Sequence, residues 1–152
     1  MRGMLVRVTS HRDPEPLAFD AFERLATFVL RMEEAPDAVE LSIALVDVDE
    51  IASLNESYRG IEGPTDVLSF ECDEPCPADS DEPIAIGDVV IAPEVAERQA
   101  ADLGTTVEAE LDLLLVHGVL HLLGYDHISD DDAAVMQERE RALLTAWADA
   151  AR

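Results

Sequence analysis

Three histidines in one short segment have the residue type and spacing of metal ligands. His117 and His121 are four residues apart, so on a helix with 3.6 residues per turn they project from the same face. Gly124 can adopt the left-handed conformation that ends a helix, and the chain beyond it can then bring His127 back toward the pair. Three protein nitrogens with a fourth position open to water are typical of catalytic zinc, whereas structural zinc usually has four protein ligands. The sequence therefore predicts one zinc ion per chain, bound by these three histidines.

The residue after the first histidine limits the chemistry of this site. The spacing His-x3-His-x2-Gly-x2-His is also that of the metzincin metalloproteases, which carry their glutamate base directly after the first histidine. This chain has Gly118 at that position, so a proton acceptor would have to come from elsewhere. A glycine inside a helix costs about 1 kcal/mol relative to alanine. We therefore expect a close approach to Gly118, either by the sheet or by the substrate.

Three acidic residues are candidates for a supporting role, and each also has an ordinary structural explanation. Asp126 could orient a histidine or accept a proton, but an aspartate after a helix-ending glycine also serves in turns. Glu110 lies on the ligand face two turns upstream, where the helix dipole also favours a glutamate. Asp88 could support the site or hold a loop. The proton acceptor is not identified by the sequence.

Length and composition limit the classes of protein to which this chain can belong. The 152 residues are the length of one domain, and no linker divides them, so residues 1–152 are expected to form a single domain. No apolar run is long enough to cross a bilayer and no secretory signal is visible, which predicts a cytoplasmic protein. Cys72 and Cys76 could form a small disulfide loop or a two-thiolate metal clip, but a cytoplasmic location keeps thiols reduced, so free thiols in an acidic loop are expected. A net charge of −24, from 34 acidic residues against ten arginines and no lysine, opposes a polyanionic partner unless positive charge is concentrated locally.

Hydrophobic periodicity predicts an alternation of strands and helices. Strands are expected at 4–8, 39–45, 65–70 and 84–91, and helices at 16–34, from 47 or 49 to 58, at 93–104, at 105–123 and at 129–149. Thr105 and Glu108 form a capping box at the start of the histidine-bearing helix. Because that helix is apolar nearly all round, it should lie in the middle of the protein. Val135, Leu143 and Trp147 are the expected core contacts of the last helix.

Four motifs resemble those of one family, the YbeY endoribonucleases of bacteria. They are Leu54-Asn55-x2-Tyr58-Arg59-Gly60, Pro64-Thr65-Asp66-Val67-Leu68-Ser69-Phe70, Gly87-Asp88-x2-Ile91 and the segment 117–127. The resemblance covers most of the chain from about Leu54 onward. It implies a single α+β domain with a small, mostly four-stranded mixed sheet flanked by helices, and a zinc ion held by His117, His121 and His127. The chain departs from the family pattern at Glu62 and Glu71, neither of which is a proposed ligand.

The same resemblance implies a function. It implies metal-dependent cleavage of single-stranded RNA, with a role at the 3′ end of 16S ribosomal RNA and in ribosome quality control. Arg59 is the residue that it assigns to the phosphate, because a guanidinium can bind two phosphoryl oxygens. The expected partners are a ribosomal RNA precursor and ribosomal or ribosome-assembly proteins, with neither DNA nor a membrane among them.

Two alternatives from other classes stay open at this point. A zinc metallopeptidase-like hydrolase is favoured by the histidine spacing and disfavoured by Gly118. A non-catalytic ribosome-assembly factor with a structural zinc is favoured by the acidic surface, which suits basic ribosomal proteins better than RNA.

Overall fold

The computed structural model describes residues 5–10, 19–63, 65–71 and 84–150, which form one α+β unit of four strands and five helices. The strands are β1 (Leu5–Ser10), β2 (Val39–Leu45), β3 (Val67–Glu71) and β4 (Ile84–Ile91). The helices are α1 (Phe19–Met32), α2 (Val48–Arg59), α3 (Pro93–Leu103), α4 (Val107–Leu122) and α5 (Asp130–Ala150). The predicted α+β class is confirmed. Cys72, Cys76 and the predicted element starts at Met4 and Pro16 lie outside the described residues.

The strands form one mixed sheet in the order β1-β2-β4-β3. β1 and β4 both pair with β2 in parallel, whereas β3 pairs with β4 in antiparallel fashion. β1 therefore lies at one edge and β3 lies at the other. Gly87 on β4 is required beside β3, because it has a φ of +140° and a Cβ there would overlap the carbonyl oxygen of Phe70.

Helices cover both faces of the sheet. One face packs against α1 and α4 through a large apolar cluster whose strand members include Leu41, Ile43, Leu45, Val89 and Ile91. The other face packs against α2 through a smaller cluster that includes Ala44, Ile51, Leu54, Leu68, Phe70 and Val90. The alternation of side chains along a strand separates these two sets. As a result, the end of α2 and the histidine-bearing helix α4 approach the β3 edge from opposite faces.

Helix α4 is the central helix, as its apolar sequence predicts. It contacts α1, α3, α5, β3 and β4. Eight of its residues are buried, so it has almost no solvent-facing stripe. The predicted cap at Thr105 is wrong by one residue, because the Thr106 side chain accepts the first hydrogen bond, from the Ala109 N–H at 3.1 Å. No helix among the described residues has the length and apolar character needed to cross a membrane.

Helix α5 starts as predicted, and two of its three predicted core contacts are present. The Ser129 hydroxyl accepts a hydrogen bond from the Asp132 N–H at 3.0 Å, which caps its first turn. Leu143 is buried and Trp147 packs against Phe28 with ring centroids 5.3 Å apart. The expected core contact at Val135 is wrong, because that side chain is 60% exposed and the neighbouring Met136 is buried in its place.

The close approach expected at Gly118 is made by the sheet. A Cβ at this position would lie 2.6 Å from Cγ1 of Val89 and 3.3 Å from the Ser69 hydroxyl oxygen. The Ser69 hydroxyl also donates a hydrogen bond to the Gly118 carbonyl oxygen at 3.0 Å. The glycine therefore sets the distance between α4 and the strands β3 and β4.

Replacing Gly118 by alanine should destabilise the protein, although alanine is the better helix former by about 1 kcal/mol. Overpacking against the stiff Val89 side chain should lower the free energy of unfolding by about 1–2 kcal/mol, measured by urea denaturation. The control is a double-mutant cycle with Val89→Ala, a buried residue: Gly118→Ala should cost less in the Val89→Ala background than in wild type, because the smaller residue 89 makes room. A Gly118→Ala variant more stable than wild type would contradict the steric explanation.

Candidate metal centre

The three predicted histidines come together at one end of α4. One ring nitrogen from each of His117, His121 and His127 lies within 4.8 Å of those of the other two. The ring centroids are 4.8 to 5.6 Å apart. The first two project from the last turns of α4, and the third comes from the segment that follows it. The predicted convergence of three imidazoles is therefore present.

The reversal that brings His127 back depends on a short hydrogen-bonded turn. Gly124 has a φ of +106°, in the region that favours glycine. Its N–H donates to the carbonyl oxygen of His121 at 3.1 Å, and the Tyr125 N–H donates to that of Leu120 at 3.1 Å. These bonds satisfy carbonyl groups that the end of a helix leaves unpaired. The chain thus turns over the end of α4 and returns to the ligand face.

A buried carboxylate contacts the first of the three histidines. Nδ1 of His117 lies 2.5 Å from Oε2 of Glu140 on α5, whose side chain is 8% exposed. A histidine ligand usually donates its second ring N–H to such an acceptor, which leaves the other nitrogen for the metal. The sequence interpretation missed Glu140. The available signal was its place on the buried stripe of α5 with Met136 and Leu143, where a charged residue needs a partner.

The surroundings of the second histidine favour its neutral form. The pKa of His121 is lowered, first by burial and then by the positive charge that His117 and His127 would carry, while a hydrogen bond with the Tyr125 backbone acts in the opposite direction. Neutral imidazole is the form that binds a metal ion. His117 is hydrogen-bonded to Glu140 and His121 to the Tyr125 backbone. Three nitrogen donors arranged in this way fit a divalent transition metal.

A second layer of contacts connects the elements that carry these groups. Nε of Arg139 on α5 lies 2.6 Å from Oε1 of Glu33. The Tyr125 hydroxyl donates to the same carboxylate at 3.3 Å. Arg139 adjoins Glu140 and Tyr125 lies two residues before His127, so Glu33 connects the His127 segment to the helix that orients His117.

The histidines form one wall of an open cleft of about 880 Å³. The floor is the edge strand β3 with the residues just before it, and the opposite wall is the end of α2, which contributes Tyr58 and Arg59. Asp66 fixes the start of the strand, because its carboxylate accepts hydrogen bonds from the Val67 N–H at 2.8 Å and from the Gln99 side chain at 3.1 Å. β3 begins at Val67, two residues later than predicted.

Arg59 is exposed in this cleft at the last residue of α2. Gly60 ends the helix with a φ of +68°, and its N–H donates to the carbonyl oxygens of Asn55 and Glu56. Among residues 5–10, 19–63, 65–71 and 84–150, no carboxylate forms an ion pair with the Arg59 guanidinium. An arginine in this position can therefore take an anion that enters the cleft.

The three acidic candidates lie elsewhere than the cleft walls. Asp126 is exposed, and its carboxylate accepts a hydrogen bond from the Ile128 N–H at 3.3 Å, which is turn chemistry. Asp88 is exposed on β4, and Glu110 is buried near the start of α4. None of the three lines the cleft. A role for Asp126 as a base or as a second-layer residue stays a prediction.

Comparison with known proteins identifies the family of this fold and cleft. The family model described as Endoribonuclease YbeY matches residues 9–148. The chain belongs to the YbeY family.

Curated relatives agree over most of the length of the chain. A protein of Legionella pneumophila (strain Corby) named endoribonuclease YbeY is 46% identical over 129 residues, which cover 85% of this chain and 80% of the relative. Its namesake from Thermobifida fusca is 42% identical over 135 residues, or 87% of each chain. The solution structure of TM1509 from Thermotoga maritima matches with a TM-score of 0.61 at 27% identity, covering 95% of this chain and 93% of that one.

Removing the Glu140 carboxylate should weaken metal binding. Glu140→Ala should lower the affinity for zinc by about 10- to 100-fold, because His117 loses the group that sets its ring orientation and tautomer. Glu140→Gln should lose less, since its amide oxygen can still accept the hydrogen bond. Affinity is measured by titration against a competing chelator, with folding checked by circular dichroism. Glu138→Ala is the matched control, because Glu138 is exposed on the same helix. Equal affinity in Glu140→Ala and Glu138→Ala would contradict the orienting role.

Proposed function

We propose that this protein is a metal-dependent endoribonuclease that hydrolyses phosphodiester bonds in single-stranded RNA. The observation that carries the proposal is the placement of a three-histidine cluster and an exposed arginine on facing walls of one cleft. Membership of the YbeY family supports RNA as the substrate. The proposed domain is the whole of residues 1–152.

His117, His121 and His127 would hold the metal, and zinc, one ion per chain, is the proposed ion. Three nitrogen donors without a carboxylate are the ligand set of carbonic-anhydrase-type zinc sites. When bound, such an ion supplies Lewis acidity, which polarises a phosphoryl oxygen and makes water a better nucleophile at neutral pH. Glu140 holds the His117 ring in position, and Gly118 supplies no carboxylate at the position where the metzincins carry their base.

Arg59 is proposed to bind the phosphate of the bond that is cleaved. Its guanidinium can donate two parallel hydrogen bonds to phosphoryl oxygens and stabilise the negative charge that builds on them. The end of α2 is capped at Gly60, so the arginine starts from a defined backbone position at the cleft wall. Asp126 is retained as a proposed proton acceptor or second-layer residue.

The proposed substrate is a ribosomal RNA precursor, cleaved in maturation of the 16S 3′ end and in ribosome quality control. With this substrate, the proposed location is the cytoplasm, and the proposed partners are ribosomal or ribosome-assembly proteins, with neither DNA nor a membrane among them. Family membership favours this function over a metallopeptidase-like hydrolase, which Gly118 in place of a glutamate base also disfavours. A structural zinc in a non-catalytic assembly factor is disfavoured too, because the three-histidine cluster opens onto a cleft.

Reversing the charge of Arg59 should abolish cleavage without unfolding the protein. Arg59→Glu should reduce the rate on a short single-stranded RNA by at least about 100-fold, because the phosphate loses its donor and meets a like charge. Zinc content and melting temperature should stay close to wild type, since the side chain is exposed. Arg98→Glu is the matched control, because Arg98 is also exposed on a helix but lies outside the cleft. Cleavage by Arg59→Glu at the rate of Arg98→Glu would contradict the assignment.

The acidic surface should make cleavage increase with salt at low ionic strength. Counterion release alone weakens binding to a single strand as salt rises, with a log–log slope of about 0.7 for each phosphate neutralised. Here, however, 34 carboxylates repel RNA and only ten arginines attract it. The Debye length falls from about 20 Å at 0.02 M salt to about 7 Å at 0.2 M, so this repulsion is screened over that range.

The measurement is the initial cleavage rate across that salt range, with zinc occupancy determined at each point. We expect the rate to rise. A steady fall with salt would mean that the arginines form a real RNA-binding track and that the surface does not govern access.

A further inference from the structure

The aromatic residue next to Arg59 is largely exposed to solvent. Tyr58 is 70% exposed, although it lines the same cleft as Arg59 and the three histidines. Its ring contacts Phe70 on β3 in an edge-on arrangement, with centroids 5.1 Å apart and an interplanar angle of 68°. With that much surface in solvent, at least one face of the Tyr58 ring is open to the cleft.

The ring is also held in place. It lies in the last turn of α2, which Gly60 caps, and the Asn55 side chain donates to the Gly63 carbonyl oxygen at 2.9 Å to fix the loop that follows. Phe70 itself packs against the apolar cluster beneath α2. A ring with a fixed backbone and a supported edge loses little conformational freedom when a flat ligand stacks on it.

We infer that Tyr58 is a stacking site for one nucleobase of the RNA, adjacent to the nucleotide whose phosphate Arg59 binds. The inference rests on the proposed function. Tyr58 and Arg59 are consecutive residues at one wall of the cleft, so a single strand that places a phosphate at the arginine brings a base or sugar to the tyrosine. Every base has an aromatic face, and base–aromatic stacking tolerates any sequence.

The negative charge of the protein increases the importance of a contact that does not depend on charge. Two carboxylates, Asp66 and Glu71, line the cleft with Arg59, and the whole chain carries a net charge of −24. Stacking does not require positive charge, so it can contribute affinity where electrostatic attraction is scarce. It also requires a base that has left its helical stack, which paired RNA does not offer. Tyr58 would thereby favour single strands over duplexes.

The test measures kcat and KM of the zinc-loaded protein on a short single-stranded RNA. Tyr58→Ala should raise KM about tenfold with a smaller effect on kcat, because the ring binds away from the reacting atoms. Tyr58→Phe should stay within about twofold of wild type, since it keeps the ring. Tyr58→Leu keeps apolar contact with Phe70 and should behave like Tyr58→Ala, which separates stacking from support of the fold. Leu103→Ala is the matched control, because Leu103 is 73% exposed in the last turn of α3 before Gly104 but lies outside the cleft.

A second set of substrates identifies the ligand as a base. Each RNA carries one abasic nucleotide at a different position around the cleaved bond. At one position, base removal should raise KM about tenfold for wild type and by less than about twofold for Tyr58→Ala, since the interaction is already lost. If base removal costs both proteins equally at every position, or if Tyr58→Ala matches Leu103→Ala, the stacking site is refuted, and a protein partner for Tyr58 becomes the better explanation. These outcomes leave the proposed function intact, whereas wild type that cleaves no RNA refutes the function itself.

Discussion

The close packing of α4 against the sheet at Gly118 is the constraint on which the site depends. The residue beside His117 has no side chain, so the helix backbone lies against Val89 and accepts a hydrogen bond from Ser69. At this distance His117 and His121 reach over the β3 edge and face the cleft. A side chain at residue 118 would clash with Val89, and a shift of the helix to relieve the clash would move both histidines. The intrinsic helix propensity lost at a glycine, about 1 kcal/mol, is offset by this packing.

Helix α5 and the turn after α4 supply further contacts to the histidines of α4. Glu140 contacts His117 from α5, while the Tyr125 backbone contacts His121. The Glu33 carboxylate contacts Arg139 of α5 and Tyr125 of the turn, and it thereby connects these two elements. A buried carboxylate is costly without a partner, so the fold that satisfies Glu140 is also the fold that orients the first ligand. The same contacts therefore determine the geometry of the histidine cluster and the packing of the last helix.

In this acidic protein, the groups that can attract an anionic substrate are concentrated in the cleft. Arg59 stands without an ion-pair partner among the described residues, and the facing wall offers a site for a cation. The ring of Tyr58 adds a surface on which binding is independent of charge. Elsewhere the many carboxylates repel the substrate over a distance that shortens as the salt concentration rises. Affinity in such a protein comes from a few short-range contacts, and long-range electrostatics governs access to them.

Much of this follows from sequence because the relevant physics is local. The i, i+4 spacing of His117 and His121 and the glycine at residue 124 determine a shared helix face and a reversal within a few residues, and both are found. Strand periodicity likewise predicts β2 and β4 with their bounds. Only the tertiary structure decided which carboxylate serves the site, since Glu140 lies 23 residues from His117 and is one acid among 34. It also decided that the glycine at residue 118 faces the sheet and that the end of α2 faces the histidines across β3. Those pairings depend on strand order and helix packing between distant segments, which no local pattern encodes.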